Sequence, residues 1–84
     1  MVSTLRLIPN ISTPADELSR TLEALLVVAA QPLSIEDMAT AAEADAAEVE
    51  AAIEILRERF SEERSGIVLE HVAGGFAFRA AAAA

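Results

Sequence analysis

Few side chains in this sequence have a type and spacing suited to catalysis or metal binding. There is one histidine, His71, no cysteine, and six serines without a nucleophile motif. A zinc site needs several His or Cys ligands, and the sequence offers no second His and no Cys to accompany His71. We therefore expect His71 to be an ordinary packed or surface residue. We therefore predict no catalytic residue, no metal site and no cofactor.

The many carboxylates also suggest no enzyme. General acid–base catalysis needs a carboxylate in an apolar cleft that shifts its pKa. Glu50, Glu54 and Glu58 instead recur every four residues, which places them on one outward face of a helix. We interpret them as a solvated surface.

The charge balance disfavours binding to nucleic acid or to anionic lipid. The net charge is −8, from 14 acidic residues and six arginines. A helix that reads DNA bases presents Arg, Lys, Asn or Gln, whereas residues 45–64 hold seven acidic residues and three arginines. We expect no direct sequence-specific contact with nucleic acid.

The length allows one small domain whose own core is marginal. At 84 residues without disulfides, the chain is a candidate for stabilisation by a partner subunit. We find no signal peptide, and the apolar run at residues 22–30 is too short to span a membrane and contains Glu23. The expected location is the cytoplasm.

The strongest helical pattern is the central segment Asp45–Phe60. Asp45 and Glu48 have the spacing of a capping box, and the helix should run from Ala46 to about Glu62. Its apolar stripe predicts the core positions Val49, Ala52, Ile53, Leu56 and Phe60.

An earlier helix should start at the Thr13 cap and run from Pro14 to about Ala30. Its core stripe comprises Leu18, Leu22, Leu25, Leu26 and Ala29. Ala24, Val27 and Val28 lie off that stripe. They are either scattered surface residues or a partner interface, and the sequence leaves both readings open.

A second short helix and a hairpin complete the pattern. Ser34 should cap a helix that runs from Ile35 to roughly Ala42 or Glu43, paired with Asp37, after one or two extended residues. Gly66–Arg79 alternates as a β-hairpin, with a two-residue turn predicted at Gly74–Gly75.

This order predicts an α+β winged helix over residues 13–79, with a helix-turn-helix and a C-terminal hairpin wing. Residues 1–12 are expected to form a flexible leader, with a short strand as the alternative. Residues 80–84 are expected to be a linker or a truncated tail.

From about Leu18 to Arg79 the chain resembles the N-terminal domain of segregation and condensation protein B, ScpB. The most specific piece is Val72–Phe76, VAGGF, after a strand and before an arginine. The other matching pieces are Leu25-Leu26, Pro32-Leu33-Ser34, Gly66-Ile67, Leu69 and Phe78-Arg79. Mild departures occur at Gln31, His71 and Phe76. Family members also carry a second winged-helix domain, and this sequence stops before it, so we expect an N-terminal fragment or the ordered part of a longer protein.

The resemblance implies a non-catalytic architectural subunit of a bacterial SMC–kleisin, condensin-like complex. Such a protein acts in chromosome condensation and segregation during the cell cycle, associated with the nucleoid through the complex. The implied partners are a second copy, the kleisin ScpA and, through it, an SMC ATPase. The alternatives are a winged-helix DNA-binding transcription regulator and a small enzyme.

The resemblance does not identify the interface residues, so their prediction rests on the helical wheel. We predict Ala24, Val27 and Val28 on the first helix, with Ile55 on the central helix, as the partner face.

Overall fold

The computed structural model describes residues 14–81. They form, in order, helix α1 (Pro14–Val28), helix α2 (Ile35–Ala42), helix α3 (Ala46–Arg59), strand β1 (Ile67–Val72) and strand β2 (Gly75–Ala80). The strands pair antiparallel, so the predicted α+β winged helix is confirmed. The expected leader 1–12 and the Thr13 cap lie outside the described residues, as do residues 82–84.

Helix α1 packs along α3 and forms one side of the core. Leu22 and Leu26 are buried, while Leu18 and Leu25 are half-buried and pack against the same cluster. The helix ends at Val28, two residues before the predicted Ala30. No helix between residues 14 and 81 is both long and apolar enough to cross a bilayer.

Helix α2 begins at the predicted capping box. The Asp37 N–H donates to Ser34 Oγ at 2.9 Å, and the Ser34 N–H donates to Asp37 Oδ2 at 3.1 Å. Glu43 caps the C-terminus of the helix and adopts a left-handed φ of 56°. This reversal makes the turn to α3 short and produces the predicted helix-turn-helix.

Helix α3 is the central element, and its first four predicted core residues are buried: Val49, Ala52, Ile53 and Leu56. The Asp45 N–H donates to Glu48 Oε1 at 2.9 Å. The helix ends at Arg59, whereas the sequence predicted about Glu62. Phe60 leaves the helix because its carbonyl accepts the Leu69 N–H at 3.2 Å and its ring packs edge-on against Phe78.

The hairpin turn differs by one residue from the prediction. Val72 pairs with Gly75, so the turn residues are Ala73 and Gly74, and Gly75 belongs to β2. Gly74 has a φ of +92°, which suits the second central position of a type II turn.

Gly75 lies instead against the chain segment before α2. The neighbouring Phe76 and Leu33 exchange backbone hydrogen bonds of 2.8 and 2.9 Å, which confirms the predicted extended residue after Pro32. A β-carbon on Gly75 would overlap the Leu33 carbonyl. The position therefore requires glycine for this close backbone approach.

The wing also includes two residues that the sequence assigned to the tail. Ala80 is the last residue of β2 and pairs with Ile67. Ala81 is buried, and its N–H donates to the Gly66 carbonyl at 2.9 Å. Ala80 and Ala81 therefore continue the wing, and the assignment of residues 80–84 to a linker or truncated tail stays a prediction.

Candidate protein-interaction surface

The C-terminal half of α1 exposes apolar side chains. Val27 is 66% exposed and Val28 is 78% exposed, and the two residues are consecutive near the end of the helix. Ala24 is also exposed and lies one turn earlier, at helical spacings of three and four from the two valines. These three residues share one face of α1, as the helical wheel predicted.

Next to this face is a cleft between the end of α1 and the hairpin, with a volume of about 360 Å³. Ile67 lines the same cleft as Val27 and is 46% exposed. Among residues 14–81, those that line the cleft carry no formal charge: Leu26, Val27, Ala29, Ala30, Gln31, Pro32, Ile67, Phe76, Ala77 and Phe78. We call Ala24, Val27, Val28 and Ile67 the Val27 surface.

An uncharged surface of this kind is suited to protein contact. Burying apolar side chains against a partner is favourable, whereas burying an unpaired charge is costly. Glu23, which precedes Ala24 on α1, forms an ion pair in which its Oε1 atom lies 3.4 Å from Nη1 of Arg59 on α3. This pair directs the Glu23 carboxylate toward α3.

The predicted residue Ile55 does not share this location. It is half-buried on α3 and does not line the cleft beside Val27. Its role in a partner interface stays a prediction, separate from the α1 face.

Sequence reasoning missed Ile67, which the wing brings beside α1. The signal available in the sequence was an apolar residue at the start of a short predicted strand. Alternation alone could not show which residues of that strand would remain exposed beside the C-terminal end of α1.

His71 lines a cleft of about 370 Å³ between the end of α3 and the hairpin, together with Glu62, Glu70 and Arg79. The histidine is exposed on β1, and its ring stacks on Phe76 with centroids 4.3 Å apart and planes 8° apart. Across residues 14–81 there is no group of three or more His, Cys, Asp or Glu side chains placed to hold a metal ion.

The electrostatics of α3 are unlike those of a DNA-reading helix. Glu50, Glu54 and Glu58 are exposed along it, as predicted. Three arginines each lie within 4 Å of a carboxylate, in the pairs Arg59–Glu23, Arg64–Glu58 and Arg79–Glu70. Their charge is therefore locally balanced.

Comparison with known proteins decides the family. The sequence profile of the segregation and condensation complex subunit ScpB matches residues 20–84, more than three quarters of the chain. The chain belongs to the ScpB family. A search of curated protein sequences gave no match.

Two solved ScpB structures are similar to this chain. The crystal structure of ScpB from Mycobacterium tuberculosis has 33% identity and a TM-score of 0.76, over 87% of this chain. This chain spans 46% of that ScpB, about half its length. A second crystal structure, of a dimer of the ScpB N-terminal domain complexed with ScpA peptide, has 32% identity and a TM-score of 0.66. That match covers 83% of this chain and 81% of the N-terminal domain chain.

Proposed function

We propose that this ScpB-family chain is a non-catalytic architectural subunit of a bacterial SMC–kleisin complex. It acts in chromosome condensation and segregation, in the cytoplasm at the nucleoid. The domain forms a homodimer and contacts the kleisin ScpA. The observation that carries the proposal is the likeness to an ScpB N-terminal domain that is itself dimeric and complexed with ScpA peptide.

The Val27 surface is our proposed homodimer face. It combines the exposed large aliphatic residues of α1 with Ile67 from the wing, beside a cleft that is lined by uncharged side chains in the described part of the chain. A domain of this size has a marginal core, so covering these residues adds stability that the monomer lacks. The earlier proposals of Ala24, Val27 and Val28 belong to this face.

The experiment is a molar-mass measurement by light scattering over a concentration series, comparing wild type with Val27→Glu. A carboxylate buried in an apolar interface costs roughly 2 kcal/mol or more, equal to at least a 30-fold weaker dimer. We expect a wild-type dimer and a Val27→Glu monomer.

Ala46→Glu is the matched control. It adds the same charge at an exposed position in the first turn of α3, where a carboxylate suits the helix dipole. It should stay dimeric. A dimer unaffected by Val27→Glu would move the interface elsewhere, and a folded wild-type monomer at every concentration would contradict homodimerisation by this domain.

Kleisin contact is tested separately with a fluorescent ScpA peptide and anisotropy. We expect saturable binding to the wild-type domain. Absence of binding by a folded, dimeric domain would contradict the ScpA contact and leave the dimer intact.

A further inference from the structure

The hairpin has an outer edge on the side of β2. In an antiparallel pair, residues whose backbones bond to each other alternate with residues whose N–H and C=O groups point outward. The bond from the Ala81 N–H to the Gly66 carbonyl sets this alternation for the hairpin. Every second residue of β2 therefore directs its backbone groups to the outer edge, namely Phe76, Phe78 and Ala80.

This edge is open beyond its first residue. Phe76 exchanges two backbone hydrogen bonds with Leu33, which lies beside it as a single bridge. Within residues 14–81, no backbone group outside the hairpin bonds to Phe78 or Ala80. The Ala80 carbonyl accepts from Arg79 Nη1 at 2.8 Å, but its N–H stays open. An open strand edge is a template for another strand.

The open edge adjoins the Val27 surface. Phe78 lines the same uncharged cleft as Val27 and Ile67. A standard interface takes about 20 residues from each partner, so the four residues of the Val27 surface are too few to form one alone. On its other side α1 carries the Glu23–Arg59 ion pair, so the uncharged surface extends toward the wing. A dimer that covers Val27 therefore gains its further area at β2.

We propose that two copies of this chain pair their β2 edges antiparallel, about a two-fold axis at Arg79. The inference rests on the proposed homodimer and adds the contact that closes it. Phe78 of each copy then pairs with Ala80 of the other, and the two residues exchange backbone hydrogen bonds. An antiparallel edge is self-complementary under a two-fold axis, as an isologous interface requires.

The Leu33 bridge determines where the axis lies. An axis at Phe78 would place Ala80 of the second copy beside Phe76, where Leu33 is already bonded. An axis at Arg79 pairs the open groups of Phe78 and Ala80 with each other and leaves the bridge intact.

This register places the two Arg79 side chains opposite each other. Like charges in that arrangement repel. In its own chain, however, each Arg79 Nε lies 2.8 Å from Glu70 Oε1, and its Nη2 lies 3.8 Å from Glu62 Oε2. Each copy therefore brings a locally balanced group to the axis.

The first test is a disulfide between two copies, since the chain has no cysteine of its own. Arg79 directs its backbone inward to β1, so two such residues at the axis have β-carbons about 4.5 to 5.5 Å apart, close to disulfide geometry. Ala77→Cys is the matched control for Arg79→Cys. It lies on the same face of β2, and its two copies would be about 13 Å apart.

Disulfide-linked dimer is measured by intact mass in a thiol redox buffer, at a concentration where light scattering shows a wild-type dimer. We expect at least tenfold more of it with Arg79→Cys than with Ala77→Cys. Adding Val27→Glu to Arg79→Cys should remove this excess, because the valine and the strand edge belong to one interface.

The second test removes a single outward N–H without adding a cysteine. Ala80→Pro lacks the N–H that bonds only across the dimer, and proline is tolerated at a strand edge. It should weaken the dimer at least tenfold by light scattering. His71→Pro removes an outward N–H from the opposite edge of the hairpin and should leave the dimer unchanged. Circular dichroism checks that both variants fold.

Three results would overturn the edge pairing. A wild-type dimer in which Arg79→Cys and Ala77→Cys give equal disulfide yields would reject it and leave the homodimer in place. A folded Ala80→Pro variant that dimerises as tightly as wild type would do the same. A wild-type chain that is monomeric at every concentration would overturn the homodimer and the edge pairing together.

Discussion

At the scale of single residues, Gly75 couples the wing to the helices. Its φ is +154°, and its backbone lies against the Leu33–Ser34 peptide, next to the two hydrogen bonds between Leu33 and Phe76. This contact sets where β2 meets the start of α2. It therefore also helps to shape the cleft beside the Val27 surface, because Phe76 lines that cleft.

We expect Gly75→Ala to lower the free energy of unfolding by about 2 to 4 kcal/mol. The new β-carbon would overlap the Leu33 carbonyl and lie 2.7 Å from the Ser34 nitrogen, so backbone must move. Urea unfolding followed by circular dichroism measures the change.

Gly66→Ala is the control for that substitution. Nothing lies within 4 Å of a β-carbon at Gly66, and its φ is not positive. Its free energy of unfolding should stay within about 0.5 kcal/mol of wild type. Equal losses for Gly66→Ala and Gly75→Ala would contradict the role given to the Leu33 contact.

At the scale of elements, α2 is short enough for its cap to matter. Eight residues form little more than two turns, and isolated helices of that length are unstable in water. The reciprocal Ser34–Asp37 hydrogen bonds satisfy backbone donors at its start, and Met38 buries its side chain in the core. Cap and core contact together hold the first helix of the helix-turn-helix.

Ser34→Ala should lower the free energy of unfolding by about 1 kcal/mol, because the Asp37 N–H loses its acceptor. A shift of the urea midpoint without a change of slope would report that loss. Thr40→Ala, at an exposed position of the same helix, should shift stability by no more than about 0.5 kcal/mol. A Ser34→Ala variant as stable as wild type would show that the cap contributes nothing.

At the scale of the whole molecule, charge separates this domain from DNA-reading winged helices. The net charge of −8 and the exposed glutamates along α3 repel the phosphate backbone. The fold alone would suggest DNA binding, yet the helix that would enter the groove has the wrong sign of charge.

We therefore expect no binding of this chain to a fluorescent DNA duplex at low salt, where electrostatic attraction is least screened. Anisotropy over a protein concentration series measures it. Saturable binding that weakens steeply as salt is added would contradict the electrostatic argument and revive the regulator interpretation.

Dimerisation should also appear as concentration-dependent stability. If folding and association are linked, a tenfold rise in protein concentration raises the Tm by roughly 3 to 5 °C for a domain of this size. Val27→Glu should abolish this dependence, and Ala46→Glu should keep it. Thermal scans that give one Tm for wild type at all concentrations would contradict linked folding and association.

Local sequence signals determined most of the elements of this protein. These signals act between residues that are close in sequence, so they are recognisable without knowing the tertiary structure. They are the caps at Ser34 and Asp45, the apolar stripes of α1 and α3, and the strand alternation on either side of Gly74 and Gly75. The same signals determined the off-stripe position of Ala24, Val27 and Val28, and the family resemblance rests on motifs carried by these elements.

Only the tertiary structure decided where elements end and which surfaces they share. Helix α3 ends at Arg59 because two hairpin residues contact Phe60: the Leu69 N–H donates to its carbonyl, and the Phe78 ring packs against its ring. The turn at Ala73–Gly74 follows because Leu33 pairs with Phe76 and draws Gly75 into the strand. Ile67 joins the Val27 surface only once the wing folds beside α1. These contacts join residues distant in sequence, and no local pattern encodes their partners.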